Sequence, residues 1–255
     1  MNQHWIFFDL DNTLWNFSYN SELSLEYMYE NFPIISSIFN SKDKFIETYH
    51  IHNAKLWDMF SQGEVNSDRL RIERWQQTLF PGKEDKGIDE LCEKLDTFYL
   101  RRLAQFPNLM EGAEKMLKEL TRNNLIAILS NGFPDTQYAK AMNSGLWKYI
   151  TRLIVSGEIN KNKPHPDLFK YAIEETGAKP PYIMIGDHFE TDVIGAMKAG
   201  WHAVWLNPSD EYMPCSFEEI KKKGIDPKLL LGITNNLAET REIIDTFLNQ
   251  LNQRK

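Results

Sequence analysis

Two aspartates directly after the first apolar segment have the spacing of a catalytic pair. Asp9 and Asp11 lie two positions apart in the run Asp9-Leu10-Asp11-Asn12-Thr13. Side chains two positions apart on an extended chain point to the same side, so the two carboxylates are expected to lie close together. Neighbouring carboxylates repel each other and need a cation or a shared proton. The spacing predicts either an acid–base and metal site or an ordinary turn rich in Asp and Asn.

Three further clusters of polar residues follow later apolar segments. Ser130-Asn131-Gly132 offers a hydroxyl and backbone N–H groups to an anion. Lys163 lies in a loop stiffened by flanking prolines, and Asp187 is followed five residues later by a second acid, Asp192. An acid, a hydroxyl, a lysine and another acid thus come in order after four successive segments. Each cluster alone is a weak signal, but the ordered set strongly indicates a single functional site.

The segments that must position these residues have the pattern of buried strands separated by helices. Short, almost continuously apolar runs are typical of strands covered on both faces, as in a parallel sheet. They are His4–Leu10, Leu125–Ser130, Arg152–Ser156, Tyr182–Asp187 and His202–Asn207, with a weaker candidate at Leu229–Thr234. Helical patterns fill the intervals between them, including Asp135–Trp147 and Thr191–Ala199. The alternation predicts an α/β fold with a doubly wound parallel sheet, in which ligands bind at the carboxyl ends of the strands.

One long stretch, residues 16–105, breaks this alternation. Its apolar residues fall at helical spacing, and breakers such as Pro33 and Gly63 separate the helical runs. We therefore predict an all-helical cap domain over residues 16–105. It is inserted into an α/β core domain made of residues 1–15 and 106–255. The aromatic residues of the insertion are expected to form the core of the cap rather than a cofactor site.

The four motifs, with a helical insertion between the first and the second, resemble the haloacid dehalogenase superfamily, whose members are mostly phosphatases. The resemblance covers nearly the whole chain. The matching positions are, in motif order, Asp9, Asp11 and Thr13, then Ser130, then Lys163, then Asp187 and Asp192. It implies a Rossmann-like core with a helical cap, and it implies the hydrolysis of phosphomonoesters.

The resemblance also implies a mechanism for the first motif. Asp9 is expected to attack the phosphorus atom and form an aspartyl-phosphate intermediate. Asp11 is expected to protonate the leaving alcohol and then to deprotonate the water that hydrolyses the intermediate. Mg²⁺, a hard cation that prefers oxygen ligands, is expected on Asp9, the Asp11 carbonyl oxygen and Asp187. Because displacement of a halide leaves no alcohol to protonate, Asp11 favours phosphoryl transfer over 2-haloacid dehalogenation.

The remaining motif residues are assigned by the resemblance to phosphate binding and support. The groups expected to hold the phosphoryl oxygens are Ser130, Lys163 and the backbone amides of Asn131 and Gly132. Thr13 is expected to support Asp9 by hydrogen bonding. Asp192 is expected to orient either the Lys163 ammonium group or a metal-bound water.

Parts of the first motif, the cap and the second motif resemble a narrower branch, the pyrimidine nucleoside 5′-monophosphatases. The similar segments are WIFFDLDNTLWNF at the start of the chain, Leu56-Trp57-Asp58 with Gln62-Gly63-Glu64, and Ser130-Asn131-Gly132-Phe133. The resemblance implies a nucleotidase that acts on substrates such as dUMP, UMP and dTMP. Trp15 and Phe17 are candidates for stacking on the base, because aromatic stacking tolerates many bases; the alternative is that both only pack the cap hinge.

Other functions stay open from the residues alone. A sugar-phosphate or phosphoglycolate-type phosphatase would share the core motifs and differ only in the cap. A receiver-like module that accepts phosphate on an aspartate also uses Mg²⁺, carboxylates and a lysine, but it is much shorter and has no cap. A non-catalytic phosphate-binding module is expected to have lost Asp9 or Asp11, and both are present.

Composition narrows the expected partners and location. The 255 residues include 29 basic and 36 acidic ones, and the net charge of −7 disfavours nucleic acid polymers and anionic membranes. The longest aliphatic run, Leu125–Leu129, is far shorter than the roughly 20 residues of a membrane span. The two cysteines, Cys92 and Cys215, form no CxxC motif and suit a reducing compartment. We expect a cytoplasmic monomer or homodimer that acts on a small phosphorylated substrate.

The charge of the motif residues leads to a further expectation. Four aspartates, Asp9, Asp11, Asp187 and Asp192, share one lysine, Lys163. Such a cluster repels a phosphate dianion unless a cation is bound. Phosphate binding and turnover are therefore expected to require metal.

Overall fold

A parallel sheet carries the motif residues. In the computed structural model, which describes residues 3–83, 85–209 and 216–253, the strands are β1 (His4–Phe8), β2 (Asn124–Ser130), β3 (Arg152–Val155), β4 (Ile183–Gly186), β5 (His202–Leu206) and β6 (Leu230–Thr234). Their order across the sheet is β3-β2-β1-β4-β5-β6, and every pairing is parallel. The predicted doubly wound parallel sheet is confirmed, including its weaker sixth strand.

The central strand β1 lies where the strand order reverses. It pairs with β2 on one side and with β4 on the other, and Ile6 is opposite Ile126 and Ile183. Ile6, Phe7 and Phe8 are all fully buried, as expected of a strand covered on both faces. The crevice at the carboxyl ends of the strands on either side of such a reversal is the usual ligand site of this architecture.

The chain divides into two compact units, Met1–Asn16 with Pro107–Lys255, and Phe17–Phe106. In the second unit, the described residues form helices and no strand: α1 (Phe17–Asn31), α2 (Pro33–Ile38), α3 (Lys42–Ser61), α4 (Ser67–Leu79) and α5 (Lys86–Leu103). Aromatic side chains such as Phe45, Tyr49 and Trp75 are fully buried there. Arg74 and Asp96 form a buried ion pair between α4 and α5.

The remaining helices belong to the first unit. They are α6 (Ala113–Leu120), α7 (Pro134–Asn143), α8 (Pro166–Thr176), α9 (Gly195–Lys198), α10 (Phe217–Lys222) and α11 (Leu237–Gln253). The pattern in the sequence extends α7 to Trp147, but the helix ends at Asn143 because the chain turns at Gly145, whose φ is +76°. No helix in the part of the chain that the structure describes combines the length and apolarity needed to cross a membrane.

Candidate active site

The first motif forms a tight turn at the carboxyl end of β1. The N–H of Asp9 donates to the carbonyl oxygen of Ile185 in β4 at 2.8 Å, which ties the turn to the neighbouring strand. The chain then folds back, so that the N–H of Trp15 donates to the carbonyl oxygen of Leu10 at 2.9 Å. Asn12 has a φ of +57°, a left-handed conformation that asparagine adopts more readily than most residues. The turn places the motif at the reversal point of the sheet.

Asp9, Lys163 and Asp192 form a buried trio of charges. The Nζ atom of Lys163 lies 2.6 Å from Oδ1 of Asp9 and 2.8 Å from Oδ1 of Asp192. Burial raises the pKa of Asp9 to about 7; attraction to Lys163 opposes this rise, and repulsion from Asp192 and Asp11 adds to it. Burial also works against the charged form of Lys163, but Asp192 and Asp9 raise its pKa above the ordinary value. The lysine therefore stays protonated.

Asp187 is held at the end of β4 through its backbone and its carboxylate. Its N–H donates to Oγ1 of Thr13 at 3.1 Å, and the Thr13 hydroxyl donates to Oδ1 of Asp187 at 3.3 Å. Nε1 of Trp205 donates to the Asp187 carbonyl oxygen at 2.8 Å. Burial raises the pKa of Asp187 well above its ordinary value, and the charges of Asp9 and Asp192 raise it further. Thr13 thus supports Asp187, whereas the resemblance implied support of Asp9.

Asp192 lies on a π-helix, which positions its carboxylate beside Lys163. A π-helix over Phe189–Ile194 precedes α9, where the sequence pattern predicts an ordinary helix from Thr191 to Ala199. The N–H of His188 donates to Oδ2 of Asp192 at 3.1 Å. Gly186 leaves room for this carboxylate, because a Cβ atom there would overlap it. Single π-helical turns are frequent at functional sites, and this one fixes the partner of Lys163.

Three carboxylates converge in a way that suits a divalent cation. One oxygen each from Asp9, Asp187 and Asp192 lies within 4.8 Å of the others. Buried carboxylates that outnumber the single lysine beside them are costly unless a cation compensates for their charge. Carboxylate oxygens are the ligands that Mg²⁺ prefers. The three carboxylates therefore fit Mg²⁺, and they include Asp9 and Asp187, the two side chains that the resemblance assigns to the cation.

The second motif lies against the loop that carries Lys163. Nδ2 of Asn131 donates to the carbonyl oxygen of Lys163 at 2.9 Å, and the N–H of Lys163 donates to Oδ1 of Asn131 at 2.7 Å. This pair of hydrogen bonds joins the two loops, a role of the Asn131 side chain that its sequence context does not reveal. The N–H of Gly132 donates to Oγ of the buried Ser130 at 3.2 Å.

Asp11 contacts two residues that lie outside the four motifs. Its side chain is 28 % exposed. Gln137 and Lys140 of α7 both donate to its carboxylate. A lysine on an amphipathic helix is expected to reach into solvent, yet the Lys140 side chain is only 4 % exposed. The only indication in the sequence that both residues contact Asp11 is the Gln137-x-x-Lys140 spacing, which puts them on one helix face.

The two aromatic candidates for base stacking differ in exposure. Trp15 is fully buried, and its ring centroid lies 4.6 Å from Nζ of Lys140. A fully buried indole offers no open face to a base in this structure. Phe17 is the first residue of α1 and is half-buried.

A sequence model of haloacid dehalogenase-like hydrolases matches residues 4–200, a span that includes all four motifs. Among curated proteins, the pyrimidine 5′-nucleotidase YjjG of Escherichia coli (strain K12) is 30 % identical over 221 residues, which cover 84 % of this chain and 90 % of that protein. The N-acylneuraminate-9-phosphatase of Homo sapiens is 28 % identical over 216 residues, covering 79 % of this chain and 82 % of that protein.

The fold also matches solved structures. The HAD-hydrolase YfnB of Bacillus subtilis, in a crystal structure bound to magnesium, superposes with a TM-score of 0.78 at 24 % sequence identity. The match covers 96 % of this chain and all of the YfnB chain.

Proposed function

Because the chain belongs to the haloacid dehalogenase-like hydrolases and is a phosphatase of that family, we propose that it is a Mg²⁺-dependent 5′-nucleotidase for pyrimidine nucleoside monophosphates. The observation that carries the substrate class is the 30 % identity to the pyrimidine 5′-nucleotidase YjjG over 84 % of the chain. The convergence of Asp9, Lys163 and Asp187 at one end of the sheet supports the mechanism.

The proposed reaction has two halves that use the same two aspartates. In the first, an Asp9 oxygen bonds to phosphorus, the bond from phosphorus to the ester oxygen breaks, and Asp11 gives its proton to the departing oxygen. In the second, Asp11 takes a proton from a water whose oxygen attacks phosphorus. The bond from phosphorus to Asp9 then breaks and inorganic phosphate leaves. Asp11 is protonated again at the end, so the cycle closes.

The surrounding charges suit this reaction. Lys163, charged and 2.6 Å from Asp9, is placed to offset the negative charge of the phosphoryl oxygens. In this proposal the Ser130 hydroxyl and the amides of Asn131 and Gly132 bind the same oxygens. Mg²⁺, when bound by Asp9, the Asp11 carbonyl oxygen and Asp187, supplies positive charge that lets a phosphate dianion approach these carboxylates.

A sugar phosphate is the second candidate substrate. It is favoured by the 28 % identity to the human N-acylneuraminate-9-phosphatase over 79 % of the chain. Both substrates would use the same motif residues, so the distinction lies in the leaving group alone.

A substrate panel tests the proposal. The protein is assayed for phosphate release from dUMP, UMP, dTMP, purine nucleotides and sugar phosphates, with Mg²⁺ and with a chelator. We expect the highest kcat/KM for pyrimidine nucleotides, and no turnover in the chelator. Asp9→Asn should lower kcat at least about 10³-fold, whereas Asp245→Asn, in an exposed ion pair in the middle of α11, should not change it. Preference for sugar phosphates would contradict the substrate, and activity of Asp9→Asn would contradict the mechanism.

A further inference from the structure

Two residues one turn apart on α7 hold the carboxylate of Asp11 between them. Nζ of Lys140 lies 2.8 Å from Oδ1 and 3.0 Å from Oδ2 of Asp11. Nε2 of Gln137 donates to the same Oδ2 at 2.9 Å. Both carboxylate oxygens are therefore bound by donors from one face of one helix, which fixes the rotation of the Asp11 side chain.

The burial of these donors distinguishes the contact from a surface ion pair. Lys140 is 3 % exposed and Gln137 is fully buried. An exposed ion pair is free to break and re-form, and its net stabilisation is small. A buried ammonium group needs its partner, and here the Asp11 carboxylate and the π-face of Trp15 provide the compensation. The position of Lys140, and with it that of the Asp11 carboxylate, is thus set by the core of the protein.

Gln137 also connects Asp11 to the second motif. Its Nε2 atom donates to Oγ of Ser130 at 2.6 Å as well as to Asp11. Gly132 makes room for this side chain, because a Cβ atom at position 132 would overlap the Gln137 amide. One amide group therefore sets the distance between a carboxylate of the first motif and a hydroxyl of the second.

We propose that Lys140 and Gln137 are positioning residues that hold the Asp11 carboxyl group in line for proton transfer to and from the reacting oxygen. The inference rests on the proposed function, because it assumes that Asp11 is the general acid and base. Neither residue needs to touch the substrate. Their effect is exerted through Asp11, and for Gln137 also through Ser130.

The proposal predicts a loss that depends on the leaving group. General acid–base catalysis contributes about 10²–10⁴-fold, and a displacement of about 1 Å can remove about 10²-fold. Lys140→Met should lower kcat/KM for the alkyl ester dUMP about 10–100-fold, acting on kcat rather than on KM. For p-nitrophenyl phosphate, the same substitution should lower kcat/KM less than about 3-fold, because nitrophenolate leaves without needing a proton. The comparison uses kcat/KM because this ratio reports the first half of the reaction.

The experiment measures kcat and KM of both esters in the Mg²⁺-loaded full-length protein, with circular dichroism melting to check folding. Lys148→Met is the matched control, because Lys148 forms an exposed ion pair with Glu114. This substitution should leave kcat/KM unchanged for both esters. Lys140→Arg restores a donor and should recover part of the loss. Gln137→Leu supplies a second test of the same selectivity if Lys140→Met does not fold. If dUMP is not turned over, glycerol 3-phosphate takes its place.

A double-mutant cycle with Asp11→Asn decides whether Lys140 acts through Asp11. In the Asp11→Asn background, Lys140→Met should cost less than about 2-fold further, because its target is already gone. Equal losses for both esters, a rise in KM alone, or additive losses in the cycle would overturn the positioning role. If Asp11→Asn itself fails to discriminate between the two esters, the acid–base assignment of the proposed function fails with it. If Asp11→Asn discriminates and Lys140→Met does not, only the present inference fails.

Discussion

Replacing Asp187 by asparagine should stabilise the metal-free protein and remove most of its stabilisation by Mg²⁺. Lys163 pairs directly with Asp9 and Asp192, at 2.6 and 2.8 Å. Asp187 takes part in none of the ion pairs among the described residues, and its carboxylate accepts instead from the neutral Thr13 hydroxyl. Without metal, Asp187 is therefore the carboxylate whose charge is compensated least by protein groups.

The expected size of the effect follows from the spacing of the three carboxylates. Two unit charges at the upper limit of 4.8 Å repel each other by about 3.5 kcal/mol at an effective dielectric constant of 20. The hydrogen bond from Thr13 and the attraction to Lys163 offset some of this repulsion. We therefore expect Asp187→Asn to gain about 1–3 kcal/mol in free energy of unfolding at pH 8 in a chelator. At 100-fold excess over its Kd, Mg²⁺ should stabilise the wild type by about 2.7 kcal/mol and the variant by less than about 1.

Urea unfolding followed by tryptophan fluorescence measures both quantities, in chelator and in saturating MgCl₂. Asp245→Asn is the control, since Asp245 forms an exposed ion pair with Arg241 at 3.0 Å and its loss should change stability by less than about 0.5 kcal/mol in either buffer. A metal-free Asp187→Asn variant that is less stable than the wild type would refute the electrostatic argument. An unchanged response to Mg²⁺ would show that Asp187 does not hold the cation.

Three more predictions concern Asp96, Cys92 and Gly186. Asp96→Asn should destabilise the protein by about 3–5 kcal/mol in urea unfolding, because it removes the negative charge that compensates the buried Arg74 guanidinium group. Glu47→Gln, in an exposed ion pair on α3, should cost less than about 0.5 kcal/mol, and equal losses for the two variants would contradict this prediction. Burial raises the pKa of Cys92 to about 12, so the thiol stays protonated at pH 8. Peptide mapping should therefore find Cys92 unmodified by iodoacetamide until the protein unfolds. Rapid labelling of Cys92 in the native protein would contradict its burial. Gly186→Ala should push the Asp192 carboxylate away from Lys163 and lower kcat about 10-fold or more without loss of folding. An unchanged kcat would mean that the Asp192 carboxylate has room to move.

The strands and the order of the motif residues were predictable because both depend on local signals. A run such as Ile6-Phe7-Phe8, buried on both faces, has no polar positions and therefore marks a central strand. Once the strands are known, the carboxyl ends of parallel strands must meet at one edge, which brings Asp9 and Asp187 together. The ends of elements were less predictable, because a single glycine or a change of helix type shifts them, as at Gly145 and in the π-helix.

The contacts that orient the site were not predictable, because they join residues far apart in sequence. Trp205 reaches the Asp187 carbonyl oxygen across 18 positions, and Lys140 reaches Asp11 across 129. Nothing in a helical pattern tells whether a lysine stem lies in solvent or runs along the core to a carboxylate. Trp15 shows the same limit, because a position next to the motif does not tell whether the indole is exposed or, as here, fully buried. Cys215 lies outside the described residues.

The proposed mechanism requires that Asp9 forms a covalent bond to phosphorus. The most direct measurement is borohydride trapping in the Asp11→Asn variant, which is expected to accumulate the intermediate because it lacks the proposed base for its hydrolysis. The variant is mixed with p-nitrophenyl phosphate and Mg²⁺, quenched with borohydride and digested, and its peptides are sequenced by mass spectrometry. Reduction of an aspartyl-phosphate converts the side chain to that of homoserine. We predict homoserine at position 9 and at no other aspartate; an unmodified Asp9 in a variant that has released a stoichiometric burst of nitrophenol would contradict the mechanism.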